Sequence, residues 1–206
     1  MTKQVHKEAY EFLKYCYPDR WASYYYQLRE IIELNPSSVL EIGTGDGVLK
    51  QYLTNNTKII YQNLDIAEDL KPDILGSVEK IPLPDKSVDV VVAFEVLEHI
   101  PFDKFEQALA EIARVARKAV VISLPHFGPP ITFSMKIPFL PEIRFAFKIP
   151  FLRKHVFNGE HYWEVGKKGY PVREIRRIIK GHFSVEKDFI PFENQYHHFF
   201  VLRHHI

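Results

Sequence analysis

The chain has 206 residues, 46% of them hydrophobic, and sets 27 Lys and Arg against 26 Asp and Glu for a net charge of +1. That balance leaves no global field to gather nucleic acid or a membrane surface, so any such attraction has to be local. A lone cysteine, Cys16, excludes an intrachain disulfide and fits a reducing compartment. The charges scattered through the first ten positions argue against a secretory signal, and no apolar run reaches membrane-span length. A single cytoplasmic domain is expected, able to bury roughly 70% of its unfolded surface.

Residues 5–34 read as two helices parted at Pro18-Asp19, with Asp19 as the N-cap of the second. Apolar residues recur there at three-to-four spacing (Ala9, Phe12, Leu13, Cys16; then Trp21, Tyr24, Leu28, Ile31, Ile32). Strand and helix patterns then alternate. Strands are expected at 38–42, at 58–64 closed by Asp65, and at 73–75, 88–93 and 119–124; helices are expected at 46–53 and 102–116. This spacing implies right-handed crossovers and a parallel sheet covered on both faces. Residues 127–157 are rich in Pro and Phe and are expected to have neither clean period. A helix at 172–179 and strands at 183–189 and 196–203 follow. The parts of one domain are therefore a helical cap (1–36), a core (37–125), an insert (126–158) and a closing helix with two strands (159–206).

The first strand runs into Glu41-Ile42-Gly43-Thr44-Gly45-Asp46-Gly47-Val48. Glycines at every second position allow positive φ and bring bare backbone against a ligand, and the next helix aims its first N–H groups over the loop. A dinucleotide site would need a third glycine where Val48 stands, and a pyrophosphate would be repelled by Glu41 and Asp46. A ligand with an ammonium and no phosphate suits the loop better, which disfavours a nucleotide-dependent oxidoreductase.

Glu41-x-Gly43-x-Gly45-x-Gly47 resembles motif I of the class I S-adenosylmethionine-dependent methyltransferases. The stretch Ala93-Phe94-Glu95-Val96-Leu97-Glu98-His99-Ile100 resembles that family's signature after strand four, and the terminal strand pair resembles its ending. The matches cover residues 39–124 in order. The resemblance implies an α/β fold, doubly wound, with a seven-stranded mostly parallel sheet and an antiparallel last strand. It also implies S-adenosylmethionine as cofactor, held by the loop of Glu41, Gly43, Thr44, Gly45 and Gly47. Asp65 would accept hydrogen bonds from the ribose hydroxyls, Ile66 would lie against adenine, and the Val78 N–H would meet the ring. Ser77 stands where the family usually has an aspartate. The backbone near Phe94 and Glu95 would face the methionine part.

Methyl transfer asks mainly for alignment and exclusion of water, and for a base only if the acceptor is a weak acid. The candidate bases are His99, His126 just past strand five, and His161 in Gly159-Glu160-His161-Tyr162-Trp163. His99 reads equally as a helix-start residue, and His161 as packing against Trp163. No metal-ligand spacing emerges. The N-terminal aromatics (Tyr10, Tyr15, Tyr17, Trp21, Tyr24, Tyr25, Tyr26) either cover the cofactor or fill the helix–sheet interface.

Within the insert, Lys136-Ile137-Pro138-Phe139-Leu140 recurs as Lys148-Ile149-Pro150-Phe151-Leu152. Five cations (Lys136, Arg144, Lys148, Arg153, Lys154) with one acid, Glu142, interleave with apolar residues. A lid over the substrate is expected, with Phe127, Phe139, Phe151 and Tyr162 on the substrate side; contact with an anionic membrane and a protein interface are the alternatives. Nucleic acid is disfavoured by the short patch and neutral balance. The functional expectation is transfer of a methyl group to a small-molecule or lipid-like acceptor. Its alternative is a silent S-adenosylmethionine-binding module acting through the cationic insert.

Overall fold

The computed structural model describes residues 10–151 and 153–205; the start of the expected first helix (residues 5–9) and Leu152 of the repeat lie outside them. Helix α1 (Phe12–Tyr15) is a single turn, and α2 (Pro18–Glu33) follows. Pro18 occupies the first turn of α2, where a missing N–H leaves no helical bond unmade. Tyr17 is therefore the N-cap, not Asp19, whose charge instead sits inside the first turn and complements the helix dipole.

The α/β core runs β1 (Ser38–Ile42), α3 (Val48–Asn56), β2 (Ile60–Asp65), β3 (Ile74–Leu75), β4 (Val88–Phe94), α4 (Phe102–Val115) and β5 (Ala116–Pro125). After an insert come α5 (Val172–His182), β8 (Ser184–Phe189) and β9 (His197–Arg203). The sheet order is β3-β2-β1-β4-β5-β9-β8, with β9 antiparallel to both neighbours and the other pairs parallel. Strand order reverses between β1 and β4, the place where doubly wound sheets open a crevice at their carboxyl ends.

Alternation along β4 explains the layers. Val91 and Ala93 face a core with Phe105, Leu109 and Ile112 of α4 and Ile175 and Ile179 of α5. Val90 and Val92 face the other core, with Tyr24 and Ile31 of α2 and Leu49 and Leu53 of α3. At the far end of β4, buried Asp89 accepts hydrogen bonds from the Ser37 N–H (2.8 Å), from Lys118 (2.8 Å) and from Arg117, tying the starts of β1, β4 and β5 together.

The insert is not the patternless segment expected. It forms a hairpin of β6 (Pro130–Met135) and β7 (Ile143–Lys148), paired antiparallel with Ile131 opposite Phe147, Phe133 opposite Phe145 and Met135 opposite Ile143. Those six apolar residues share one face, and all of them are exposed. At the tip, Leu140 N–H bonds to the Ile137 carbonyl across Pro138 and Phe139. Phe139 takes φ 67° at the position of the turn that favours glycine, and its side chain is fully exposed.

Candidate active site

A cleft of about 1090 Å³ opens at the carboxyl ends of β1, β2 and β4. Its floor is the glycine loop. Asp65, at the end of β2, accepts the Thr44 N–H at 2.7 Å through one carboxylate oxygen and the Ala67 N–H at 2.8 Å through the other. It therefore fixes the loop as well as lining the cleft, and each oxygen keeps a further lone pair for a ligand. Asp46 accepts the Tyr24 hydroxyl at 2.5 Å and the Val48 N–H at 3.2 Å, so it pins helix α2 over the loop and, from two residues ahead of α3, holds that helix's first N–H.

Gly45 and Gly47 adopt φ 53° and 78° with open space where a side chain would begin. Gly43 differs: at φ 84°, a Cβ there would lie 2.5 Å from Val96 Cγ2. The close approach it permits is to Val96 of the protein itself.

Of the residues expected at the cofactor, Glu41, Gly43, Thr44, Gly45, Asp65, Ile66, Val78, Phe94 and Glu95 line this cleft. Gly47 lines the outer part of the groove, beside Thr44, Gly45 and Asp46. Ser77 is not on the cleft wall; its hydroxyl accepts the Glu79 N–H at 3.1 Å and closes a turn. The wall also includes Tyr10, Tyr15, Tyr24 and Arg20. Three of the seven N-terminal aromatics thus cover it, whereas Arg20 carried no signal in the sequence beyond its place in α2. The Arg20 guanidinium lies over the Tyr15 ring at 4.3 Å.

Acidic groups outnumber cations in the cleft: Glu41, Asp46, Asp65 and Glu95 against Arg20. Burial raises Glu41 to about 8, with the Tyr61 hydroxyl donating to its carboxylate and opposing that rise. Burial likewise raises Glu95 to about 8, against the Ser123 hydroxyl that donates to it at 2.8 Å. The Thr44 hydroxyl and the Arg20 Nε are buried with no hydrogen-bond partner among the described residues. This set fits a ligand carrying a cationic centre, a carboxylate and hydroxyls, as S-adenosylmethionine does, and it repels a phosphate.

The three expected histidines separate. His99 ends the 3-10 turn Leu97–His99 and lines the cleft; its Nδ1 lies 3.1 Å from the Glu160 carbonyl. Burial, with His161 adding to it, lowers its pKa to about 4. His161 packs against His99, ring centroids 5.0 Å apart, rather than against Trp163, which buries itself beside Phe102 and Phe105. His126 does not reach the cleft. It is buried, its Nδ1 lies 3.1 Å from that of His198, and its carbonyl accepts Lys148. Burial drops its pKa to about 3, and it serves to anchor the base of the hairpin.

The four substrate-side residues also lie off the cleft wall. Phe127 meets Phe151 at 6.3 Å, Tyr162 meets Phe157 at 4.6 Å, and Phe139 stands in solvent at the hairpin tip. Glu98, quoted in the motif but given no role, is wholly buried beside this histidine pair.

Comparison with known proteins gives the same class. Residues 40–124 match the profile of a methyltransferase domain. No curated protein matches the chain significantly. Among solved structures, the small RNA methyltransferase HEN1 is 17% identical with a TM-score of 0.63, over 100% of this chain and 26% of that one. N-methyltransferase NodS from Bradyrhizobium japonicum, solved with S-adenosyl-L-homocysteine, is 11% identical at TM-score 0.60, covering 98% of this chain and 94% of that one. An S-adenosylmethionine-dependent methyltransferase from Clostridium acetobutylicum is 9% identical at TM-score 0.59, covering 91% and 92%. Residues 40–124 thus carry a methyltransferase domain, and the chain as a whole has the fold of the S-adenosylmethionine-dependent methyltransferases. It is an enzyme of methyl transfer with S-adenosylmethionine as its cofactor.

Proposed function

We propose that this enzyme methylates a small-molecule or lipid-like acceptor in the cytoplasm, reached from the hairpin side of the cleft. The observation that carries the cofactor half is the cleft's acidic lining around a glycine turn: Asp46 and Asp65, two buried carboxyls, Glu41 and Glu95, that a bound cation would ionise, and a single arginine. S-adenosylmethionine supplies a methyl group on a sulfonium, already activated for transfer. Asp65 holds the ribose hydroxyls, Ile66 and Val78 the adenine, and Arg20 the carboxylate of the methionine part, while Glu41, Asp46 and Glu95 favour the cationic groups. Gly43, Thr44, Gly45 and Gly47 shape the loop beneath. His99 and His161 stand at the acceptor end.

The hairpin supports a lipid-like acceptor. Its six-residue apolar face and Phe139 at the tip form an exposed patch of a kind that marks an interaction site. Of the insert's five cations, three are engaged within the protein. Arg144 pairs with Glu142 at 2.9 Å and with Glu193, Lys148 donates to the His126 carbonyl, and Lys136 donates to the Leu140 carbonyl at 3.0 Å. Arg153 and Lys154 remain as the basic complement to an anionic headgroup. Calorimetry with S-adenosylhomocysteine on wild type and Asp65→Asn tests the cofactor half. The variant keeps one oxygen for the loop and should lose about 1.5–3 kcal/mol of binding; equal affinity would remove Asp65 from the ribose. Turnover of labelled S-adenosylmethionine against metabolites and lipids tests the acceptor. Binding without turnover on any acceptor would favour the silent module.

A further inference from the structure

We propose that Glu98, His99 and His161 form a divalent-cation site at the acceptor end of the cleft. One ligand atom from each lies within 4.8 Å of the others. They come from two segments that are locked together: the Tyr162 N–H donates to the Glu98 carbonyl at 2.9 Å, and the Trp163 indole N–H to the Ile100 carbonyl at 3.1 Å. The trio is therefore held in place by the fold.

Glu98 is the independent sign of a missing partner. Its side chain is 0% exposed, and neither carboxylate oxygen has a hydrogen-bond partner among the described residues. The nearest candidate, His161 Nε2, stands 3.9 Å from Glu98 Oε1, too far for a hydrogen bond. Two donors bound at ~2.1 Å to one ion are themselves roughly 3–3.5 Å apart, so a small inward movement of either side chain closes the site. A carboxylate enclosed without a counter-charge is costly, and Glu95 adds to the cost by its own negative field. Arg20 is the cation felt at this point, and it is engaged with Tyr15 and Tyr17.

The imidazoles are set for ligation. The His99 Nδ1–H donates to the Glu160 carbonyl at 3.1 Å, which places the lone pair on Nε2. His161 Nδ1 faces the Glu164 carboxylate at 3.4 Å, Glu164 is held in turn by Lys167 at 3.0 Å, and His161 Nε2 is turned toward Glu98. A carbonyl or carboxylate behind each ring is the usual outer support of a metal-bound histidine. Two imidazoles and one carboxylate suit Mn²⁺, Fe²⁺, Co²⁺ or Zn²⁺ and leave coordination positions open. Because His99 lines the cleft, those positions face the acceptor, where the ion takes an oxygen and lowers the pKa of a hydroxyl. This role, though not the binding itself, rests on the methyl-transfer reading and narrows the acceptor to an oxygen acid.

The test uses chelator-treated full-length protein titrated with Co²⁺, followed by visible absorption, and with Mn²⁺, followed by the spin resonance of the free ion. One ion per chain is expected, with affinity reduced at least about 100-fold in His161→Ala and Glu98→Gln and unchanged in His126→Ala. S-adenosylhomocysteine affinity, measured on the same samples, should stay within a few-fold. That measurement also shows that each variant is folded, with His161→Gln in reserve. Absence of stoichiometric uptake by a protein that still binds S-adenosylhomocysteine would overturn the site and leave a proton on Glu98, with the methyl-transfer reading intact. Equal uptake by His161→Ala would overturn it as well. Loss of both ligands would remove the cofactor reading along with it.

Discussion

Replacing Gly43 by alanine should destabilise the protein far more than the same change at Gly45, although both stand in the cofactor loop with positive φ. At Gly43 the new Cβ would meet Val96 Cγ2 at 2.5 Å, against roughly 3.5–4.0 Å for a relaxed carbon contact. Relieving that overlap within a packed core costs about 1–3 kcal/mol. The left-handed backbone adds about 1–2 kcal/mol at either glycine. The sum is about 2–5 kcal/mol for Gly43→Ala and only the backbone part for Gly45→Ala, where nothing lies within 4 Å. For a chain of this length the first corresponds to a Tm lower by roughly 5–15 °C. Urea titration and thermal melting of both variants, with Val96→Ala alone and in the Gly43→Ala background, separate the two costs. Removing the Val96 methyls should return about 1–2 kcal/mol in the double variant as a coupling energy. A Gly43→Ala protein as stable as wild type, or no coupling to Val96, would refute the view that this glycine serves the β1–β4 packing rather than the ligand.

Glu41→Gln should stabilise the ligand-free protein increasingly as pH rises from about 4.5 to 8, because the buried carboxyl binds a proton in the folded state that the unfolded chain has released. Urea midpoints that shift equally at pH 5 and pH 8 would contradict this. Asp89 has the opposite sign: Lys118, the Ser37 N–H and Arg117 outweigh burial and hold it below the usual carboxylate range, so its contribution is present above about pH 4 and lost on acidification. Asp89→Asn should flatten the acid limb of the stability profile, and an unchanged limb would argue against it. Deleting residues 131–147 should leave S-adenosylhomocysteine affinity within a few-fold yet remove methyl transfer and sedimentation with anionic liposomes. That sedimentation should fall with salt, since charges are screened over about 8–10 Å; a deletion variant that still turns over lipid would refute the role. Phe139→Gly should leave thermal stability undiminished, because φ 67° suits glycine, while weakening liposome binding. Undiminished liposome binding would separate the tip from the membrane.

What the sequence made legible follows from which forces act locally. β1, β4 and β5 show as apolar runs because both faces of each are covered, and Asp65 is marked by its place at the end of β2. The hairpin was legible in principle. Ile131, Phe133 and Met135 alternate with Thr132 and Ser134, and Ile143, Phe145 and Phe147 alternate with Arg144 and Ala146. The prolines and the pentapeptide repeat point toward turns, and the repeat itself begins where each strand ends, at 136–140 after β6 and at 148–152 from the last residue of β7.

The remainder could not be read locally. Arg20, Tyr10 and Tyr15 reach the cleft only because α2 packs over the glycine loop, held by Tyr24 on Asp46; nothing in helical periodicity states where a helix end will dock. Ser77 is the converse, a residue named by its position in a motif whose hydroxyl turns away to bond Glu79. The Glu98–His99–His161 group escaped because two adjacent residues meet a third from a distant loop. Metal-ligand spacing is recognisable when one short element supplies the ligands, as when two histidines share a helix face. Here the register is set instead by Tyr162 N–H bonding the Glu98 carbonyl, a contact between loops with no sequence period. The general consequence is physical: catalytic groups gathered across a sheet's carboxyl edge owe their geometry to the packing of the loops, and only the strand ends that launch those loops announce themselves in the chain.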